Sequence, residues 1–260
     1  MSKSLVGKFF IKAEGAYKEY KGNKAFDAGN YIKAKNAYQE LYVLYKYELG
    51  EKHPDTLDAL EALAISYECL GDYNKVFEMR KAVYNGRKEF LDENNPDTLT
   101  SLSNLAISYY HLGDYNKALK TENKVYNARK EVLGERDLDT LTSLSNLAIF
   151  YSNLGDHNKA LEMENRVYNS RKQIMGERDL DTLTSLSNLA ITYSDLGDYN
   201  KAMKLHEEVY VLRKQILGVN HPDTLTSLFN LAGSYSDLGD YSKAFELHNT
   251  VYNARKEILG

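Results

Sequence analysis

The sequence predicts an all-α solenoid of antiparallel helical hairpins, on three observations. Asp-Thr-Leu recurs at Asp55, Asp97, Asp139, Asp181 and Asp223, a step of 42 residues each time. Gly71, Gly113, Gly155, Gly197 and Gly239 return in the same register, as do Tyr67, Tyr109, Tyr151, Tyr193 and Tyr235. Within each period the apolar residues are separated by three and four positions, the spacing of a helix face. A fixed period in the range of about 20–50 residues marks a repeat array, in which each unit buries its apolar face only against its neighbours. The 260 residues therefore read as a single repeat domain, 1–260, with units at about 13–54, 55–96, 97–138, 139–180, 181–222 and 223–260, and residues 1–12 as an N-terminal extension.

Residues 97–138 serve as the type unit. Leu99, Leu102, Leu105, Ala106, Tyr109 and Leu112 define the stripe of a first helix. Asn95 stands at the N-cap, Pro96 takes the first helical position, where a missing N–H costs nothing, and Asp97 meets the positive end of the dipole. In two later units Asp137 and Asp179 hold the cap, with Leu138 and Leu180 in place of proline. Gly113 predicts the stop, because glycine enters the left-handed region without a Cβ clash, and Asp114 then caps the second helix. That helix reads from about Tyr115 to Val132. Tyr115, Ala118, Leu119, Val125, Tyr126 and Leu133 form its stripe, with Lys117, Lys120, Lys124 and Lys130 outside it. Gly134 ends it, and Glu135 to Asp137 lead into the next unit. Ala106 and Ala118 mark the close approach of the two helices.

The first unit is the least regular yet keeps the frame: Gly29 lies 42 residues before Gly71, and Asp-Ala-Gly-Asn-Tyr aligns with Cys-Leu-Gly-Asp-Tyr. Terminal units diverge because one of their faces meets solvent. The sixth unit stops at Gly260 with Leu247, Val251 and Leu259 reading as an inward-facing stripe, which predicts a further region downstream or end-to-end association of copies.

With 43% hydrophobic and 27% charged residues the chain has the composition of a folded soluble protein. A net charge of −4 leaves no basic stripe to neutralise phosphates, so nucleic acid is not an expected partner. The apolar opening is broken by Gly7 and Lys8, too brief for a secretory core or a bilayer span; no membrane partner and a cytoplasmic location are expected. Cys69 is the one cysteine, so no disulfide framework exists, which suits a reducing compartment. The six histidines, His53, His111, His157, His206, His221 and His248, are scattered without a His-Glu-x-x-His pair, and the regularly spaced glycines are helix stops rather than a phosphate loop. No catalytic residue, no metal and no cofactor is expected, and the chain reads as a non-enzyme.

Asn-Leu-Ala-x-x-Tyr-x-x-Leu-Gly-Asp-Tyr-x-Lys-Ala over 104–118, then Arg-Lys-x-x-Leu-Gly over 129–134 and His-Pro-Asp-Thr-Leu links at 53–57 and 221–225, resembles the 42-residue tetratricopeptide repeats of kinesin light chains. The likeness covers nearly the whole chain, although the sustained heptads that precede the repeats in kinesin light chains have no counterpart. The first unit is closer to a standard tetratricopeptide repeat, with Gly22, Gly29, Tyr31, Ala34 and Tyr38. The resemblance implies a right-handed superhelix whose concave wall is lined by the first helices. It also implies a non-catalytic protein–protein interaction scaffold with a protein or peptide ligand.

On that wall would lie Thr100, Ser103, Asn104, Ile107, Tyr110, His111 and their equivalents, read as a neutral polar surface. The expected peptide-binding residues are Asn104, Asn146, Asn188 and Asn230 with Ser103, Ser145, Ser187, Thr100, Thr142 and Thr184. An asparagine side chain presents both a donor and an acceptor to a peptide backbone; the alternative is that each asparagine bonds neighbouring units. Arg87, Arg129, Arg171, Arg213 and Arg255 complement the negative ends of the second helices, with the tyrosine three residues earlier or an acid of the next unit as partner. Two other roles stay open: a head-to-tail self-assembling solenoid, and the repeat portion of a larger regulatory protein.

Overall fold

The computed structural model of the protein describes residues 5–259, with side chains for 11–257, and divides into two units that are taken separately. The first, Met1–Val132, holds α1 (Leu5–Asp27), α2 (Tyr31–Glu48), α3 (Pro54–Cys69), α4 (Tyr73–Phe90), α5 (Pro96–His111) and α6 (Tyr115–Val132). The second, Leu133–Gly260, holds α7 (Leu138–Asn153), α8 (His157–Met175), α9 (Leu180–Asp195), α10 (Tyr199–Leu217), α11 (Pro222–Asp237) and α12 (Tyr241–Leu259). Among the described residues there is no strand, and no helix is long and apolar enough to cross a membrane. α1 begins at Leu5, ahead of the boundary placed at residue 13. Of the apolar opening, Met1 to Ser4 lie outside the described residues, as do the side chains up to Phe10 and that of Leu259.

The helix ends follow the local chemistry. Asn95 Oδ1 accepts from the Asp97 amide at 2.9 Å, Asp137 and Asp179 do the same for Asp139 and Asp181 at 2.9 Å, and His53 and His221 fill the cap role through Nδ1. Gly113, at φ 80°, turns the chain so that the Asp114 amide returns to the Tyr109 carbonyl at 2.9 Å, and Asp114 then accepts from the Lys117 amide at 3.2 Å.

Within each unit, a first helix flanked by two second helices fills the space between them, as α5, α9 and α11 show. Leu99, Leu102 and Leu105 of α5 bury against Val125 of α6 on one side and Phe77 and Tyr84 of α4 on the other. Leu183, Leu186 and Leu189 of α9 do so between Val209 of α10 and Leu161 and Tyr168 of α8. Leu225, Leu228 and Leu231 of α11 sit between Val251 of α12 and Met203 and Tyr210 of α10. Ala106, Ala118, Ala148 and Ala160 are all buried.

The first hairpin inverts this packing. Gly15, Lys18 and Lys21 of α1 stand in the register of Leu57, Leu60 and Leu63 of α3. Tyr45 and Tyr38 of α2 lie directly over Gly15 and Gly22, where any Cβ would collide with the rings, so the bulk comes from α2 instead of α1. Tyr38 donates to Asn23 Oδ1 at 2.6 Å, and Lys18 pairs with Glu40 at 2.9 Å.

Candidate functional site

Steps of four, three and four residues return to one face of a helix. On α7 they align Thr142, Asn146, Ile149 and Asn153; on α9, Thr184, Asn188, Ile191 and Asp195; on α11, Thr226, Asn230, Gly233 and Asp237. Neighbouring first helices of the second unit are stitched together at two levels. Asn188 Nδ2 donates to Ser145 Oγ and Asn230 Nδ2 to Ser187 Oγ, both at 3.3 Å. Further along, Ser152 Oγ donates to Asp195 at 2.6 Å and Ser194 Oγ to Asp237 at 2.7 Å. Between these levels runs a column of isoleucines, with Ile149 36% and Ile191 44% exposed, which ends at Gly233, where the surface is open. In the first unit the same stripe carries Ile65, 37% exposed, on α3 and Thr100, Asn104, Ile107 and His111 on α5, with Asn104 Nδ2 donating to Glu61 Oε1 at 3.0 Å.

The residues named from sequence thus divide into three sets. Asn104, Asn146, Asn188 and Asn230 are half-buried on the stripe, and for three of them the structure gives the alternative weighed above, a bond to the preceding hairpin. Ser103, Ser145 and Ser187 turn inward: all are buried, and Ser103 and Ser145 donate to the carboxylates of Glu122 and Glu164 at 3.0 Å. Their position, one residue before the asparagine, faces the second helix of the same hairpin. Thr100, Thr142 and Thr184 lie on the stripe, but each accepts a bond from Arg129, Arg171 or Arg213, at 2.8–2.9 Å. The reading of a neutral polar surface is corrected along its middle, which is apolar.

The arginine ladder is a staple. Arg171 Nη1 donates to Ser185 Oγ at 2.9 Å and to the Asp181 carbonyl at 3.4 Å while Nη2 holds Thr142, so one guanidinium spans its own hairpin and the next first helix. Arg213 repeats this with Ser227, Asp223 and Thr184. The tyrosine ring expected under the arginine is met instead by the following lysine, Lys172 over Tyr168 and Lys214 over Tyr210 at 5.7 Å, because i to i+4 overlies the ring better than i to i+3. Arg87 pairs with an acid, Asp58, on its own hairpin.

Beneath the stripe, the five hairpins after the first couple two positions 19 residues apart, Ser145 with Glu164 for example. The series runs Glu61 with Arg80, Ser103 with Glu122, Ser145 with Glu164, Ser187 with His206 and Phe229 with His248. His206 and His248 therefore share a register position and are not scattered. Glu164 is 1% exposed, and burial lifts its carboxyl to about 7 against the opposing pull of Ser145, Arg171 and Asn188. His206 meets Ser234 Oγ at 2.8 Å, and burial lowers its imidazole to about 4 despite the Ser187 backbone and the Asp237 charge. Arg80, also buried, is held by Glu61 at 3.1 Å and by both oxygens of Glu68 at 2.8 and 2.7 Å. Sequence periodicity passes over these groups. Their one signal is a polar residue at helical spacing between buried alanine and valine, as in Ala160, Glu164, Val167.

Ser152, His157 and Asp195 form a cluster with the residue types of a hydrolase triad. Its geometry is different: the serine hydroxyl is donated to the carboxylate at 2.6 Å and not to the imidazole, whose Nδ1 lies at 3.1 Å, whereas a triad directs it at the histidine. The same bond recurs at Ser194 and Asp237, where Tyr199 replaces the histidine, which assigns it to stitching. Among the described residues no group of three or more His, Cys, Asp or Glu could hold a metal ion.

Comparison with known proteins gives the same frame. The tetratricopeptide repeat model matches residues 77–131, 97–173, 139–215 and 181–257. A search of curated proteins finds no match. Among solved structures the chain is similar to a Podosopora anserina kinesin-light-chain candidate with nearly identical TPR-like repeats, at 25% identity and TM-score 0.62 over 79% of this chain and 97% of that one. It is similar in fold to BtubC (BKLC) from P. vanneervenii, at 19% identity and TM-score 0.62 over 96% and 92% of the two chains. NprR in complex with its cognate peptide NprX shares the fold at 17% identity and TM-score 0.71, over 99% of this chain and 70% of that one. With repeats of kinesin-light-chain-like length and pattern, the chain belongs to the tetratricopeptide repeat family.

Proposed function

We propose that the chain is a non-catalytic interaction scaffold that holds an extended peptide against its first helices. The observation that carries this reading is the exposed column of Ile149 and Ile191, flanked by the half-buried amides of Asn146, Asn188 and Asn230. An apolar column on a folded surface is a contact surface for apolar side chains, and the Oδ1 atoms of Asn188 and Asn230 can accept peptide N–H groups whatever the peptide sequence. A polyproline-II segment advances about 9 Å in three residues, so a segment with apolar side chains three residues apart is the ligand to offer to the two isoleucines. Asp195 and Asp237, one turn beyond the isoleucine level, favour a basic residue at its edge. That NprR, a protein of the same fold, is seen with a peptide supports the reading. The test is an array of apolar-x-x-apolar peptides probed with the wild-type chain and with Ile149→Asp/Ile191→Asp. Selective loss in the variant is expected, and equal retention by both refutes the proposal.

A further inference from the structure

The joint at which α2 carries α1 and α3 is built without the arginine staple of later joints. At the next one Arg87 Nη1 donates forward to Ser101 Oγ at 2.9 Å and to the Asp97 carbonyl at 3.2 Å, while Nη2 reaches back to Asp58 at 2.5 Å. Arg171 and Arg213 make the same three contacts in the second unit. Forty-two residues before Arg87, Ser101 and Asp58 stand Tyr45, Ala59 and Ala16. Tyr45 lies over Gly15 of α1 instead. The asparagine level changes in the same way. Glu61 is met by Asn104 at 3.0 Å and Arg80 at 3.1 Å, but around Glu19, its counterpart on α1, Ala62 and Tyr38 hold those two positions. Tyr38 donates to Asn23, and Glu19 has no ion pair among the described residues.

With alanine at both levels, a depression of about 160 Å³ remains between α1 and α3. It brings the exposed carboxylates of Glu19, Asp55 and Asp58 to the rings of Tyr38 and Tyr45. Burial, then the charges of Asp27 and Glu19, raise the Tyr38 phenol; burial, then Asp55 and Glu19, raise that of Tyr45. Negative potential thus converges on two aromatic faces, which is the complement of a planar cation. A guanidinium donates to carboxylates through a rigid fork and stacks on aromatic rings, where an ammonium is a point charge. We infer that this joint binds the guanidinium of an arginine in a peptide partner, supplying from outside the group that Arg87, Arg171 and Arg213 supply from within. Asn23, which also lines the depression, holds on α1 the register of Ile65 on α3, so the site opens along the first-helix stripe. The inference rests on the peptide reading for its ligand and adds to it a preference for arginine.

The probes are N-acetyl-arginine N-methylamide, its citrulline counterpart, which keeps the shape without the charge, and free L-arginine. Each is titrated into the isotope-labelled 260-residue chain and followed by NMR at the Ala59 and Ala62 amides. Saturable shifts are expected with the capped arginine, at least about tenfold tighter than with capped citrulline, the difference that charge assistance makes. Glu19→Gln, an exposed change of equal shape, should weaken binding about threefold or more. Ala62→Asn, which restores the residue of the later first helices and gives Glu19 an internal donor, should do the same. Both variants should keep the wild-type circular dichroism. No saturable shift in the wild type, an equal response to citrulline, or undiminished binding by either variant overturns the inference. Tighter binding of free L-arginine than of the capped residue overturns the peptide as its source. The capped residue carries no apolar side chain, so failure here and failure of the apolar-x-x-apolar array are separate results.

Discussion

Glutamine in place of Glu164 keeps the shape of the side chain and removes its titration. In the folded chain burial lifts the carboxyl from 4.5 to about 7. Between these values the folded state binds more protons than the unfolded one, so stability falls as pH rises across the window. At roughly 1.4 kcal/mol per pH unit the loss approaches about 3 kcal/mol once the group is ionised. His206 acts in the opposite sense: burial brings its imidazole from 6.5 down to about 4, so stability falls as pH drops through that window, again by about 3 kcal/mol. Where the windows overlap, the two slopes nearly cancel. Urea unfolding followed by circular dichroism from about pH 4 to 8 should show a broad stability maximum between 4.5 and 6.5 for the wild type. Glu164→Gln should lose the decline towards alkaline pH, gain about 2–3 kcal/mol at the alkaline end, and reveal the uncompensated acid slope of His206. A variant whose stability runs parallel to the wild type across pH 4.5–7 would refute a carboxyl that is buried and protonated in the fold.

Three further perturbations probe the hairpin and its joints. Ala148→Leu should lower stability by about 1–3 kcal/mol through overpacking at its buried position on α7, read as a reduced urea midpoint; an unchanged midpoint would mean the site can expand. Arg213→Met, which removes the staple between Thr184, Asp223 and Ser227, should cost about 2–4 kcal/mol from lost charge-assisted bonds, and a loss no larger than that of an exposed Lys201→Met control would contradict it. Gly233→Ile should raise stability by about 0.5 kcal/mol, since a Cβ there meets open space and glycine is a poor helix former. It should also extend the isoleucine column by one step, seen as tighter retention of peptides with a third apolar residue.

The hairpins were legible because their signals are local. Asn95, Pro96, Asp97, Gly113 and Asp114 each act within a turn of their own position, and the structure places their helix ends accordingly. What sequence could not reach depends on a partner elsewhere in the chain. Ser103 reads as an exposed polar residue until Glu122 is brought to 3.0 Å from it, and Asn188 reads as a free amide until Ser145 arrives from the preceding hairpin. Glu164 lies on the apolar stripe, where periodicity counts only hydrophobic residues and takes a carboxylate for an edge position. On α12 the stripe of Leu247 and Val251 packs against α11, while the bulkier Phe245 and Tyr252 are exposed, a division that hydrophobicity along the chain does not make.

The staples and asparagine bonds of the second unit use identical atoms at successive joints: Arg171 and Arg213 each grip a carbonyl and a serine ahead, and Asn188 and Asn230 each grip a serine behind. Excising residues 181–222 would bring Arg171 to Ser227 and Asn230 to Ser145 with every partner chemically unchanged. Thr-Leu-Thr-Ser-Leu-Ser-Asn-Leu-Ala-Ile, present from Thr98, Thr140 and Thr182, keeps the residues that form these joints identical in three successive first helices. The length of chain available to a ligand is thereby an evolvable quantity, adjustable in quanta of one hairpin without inventing a new joint.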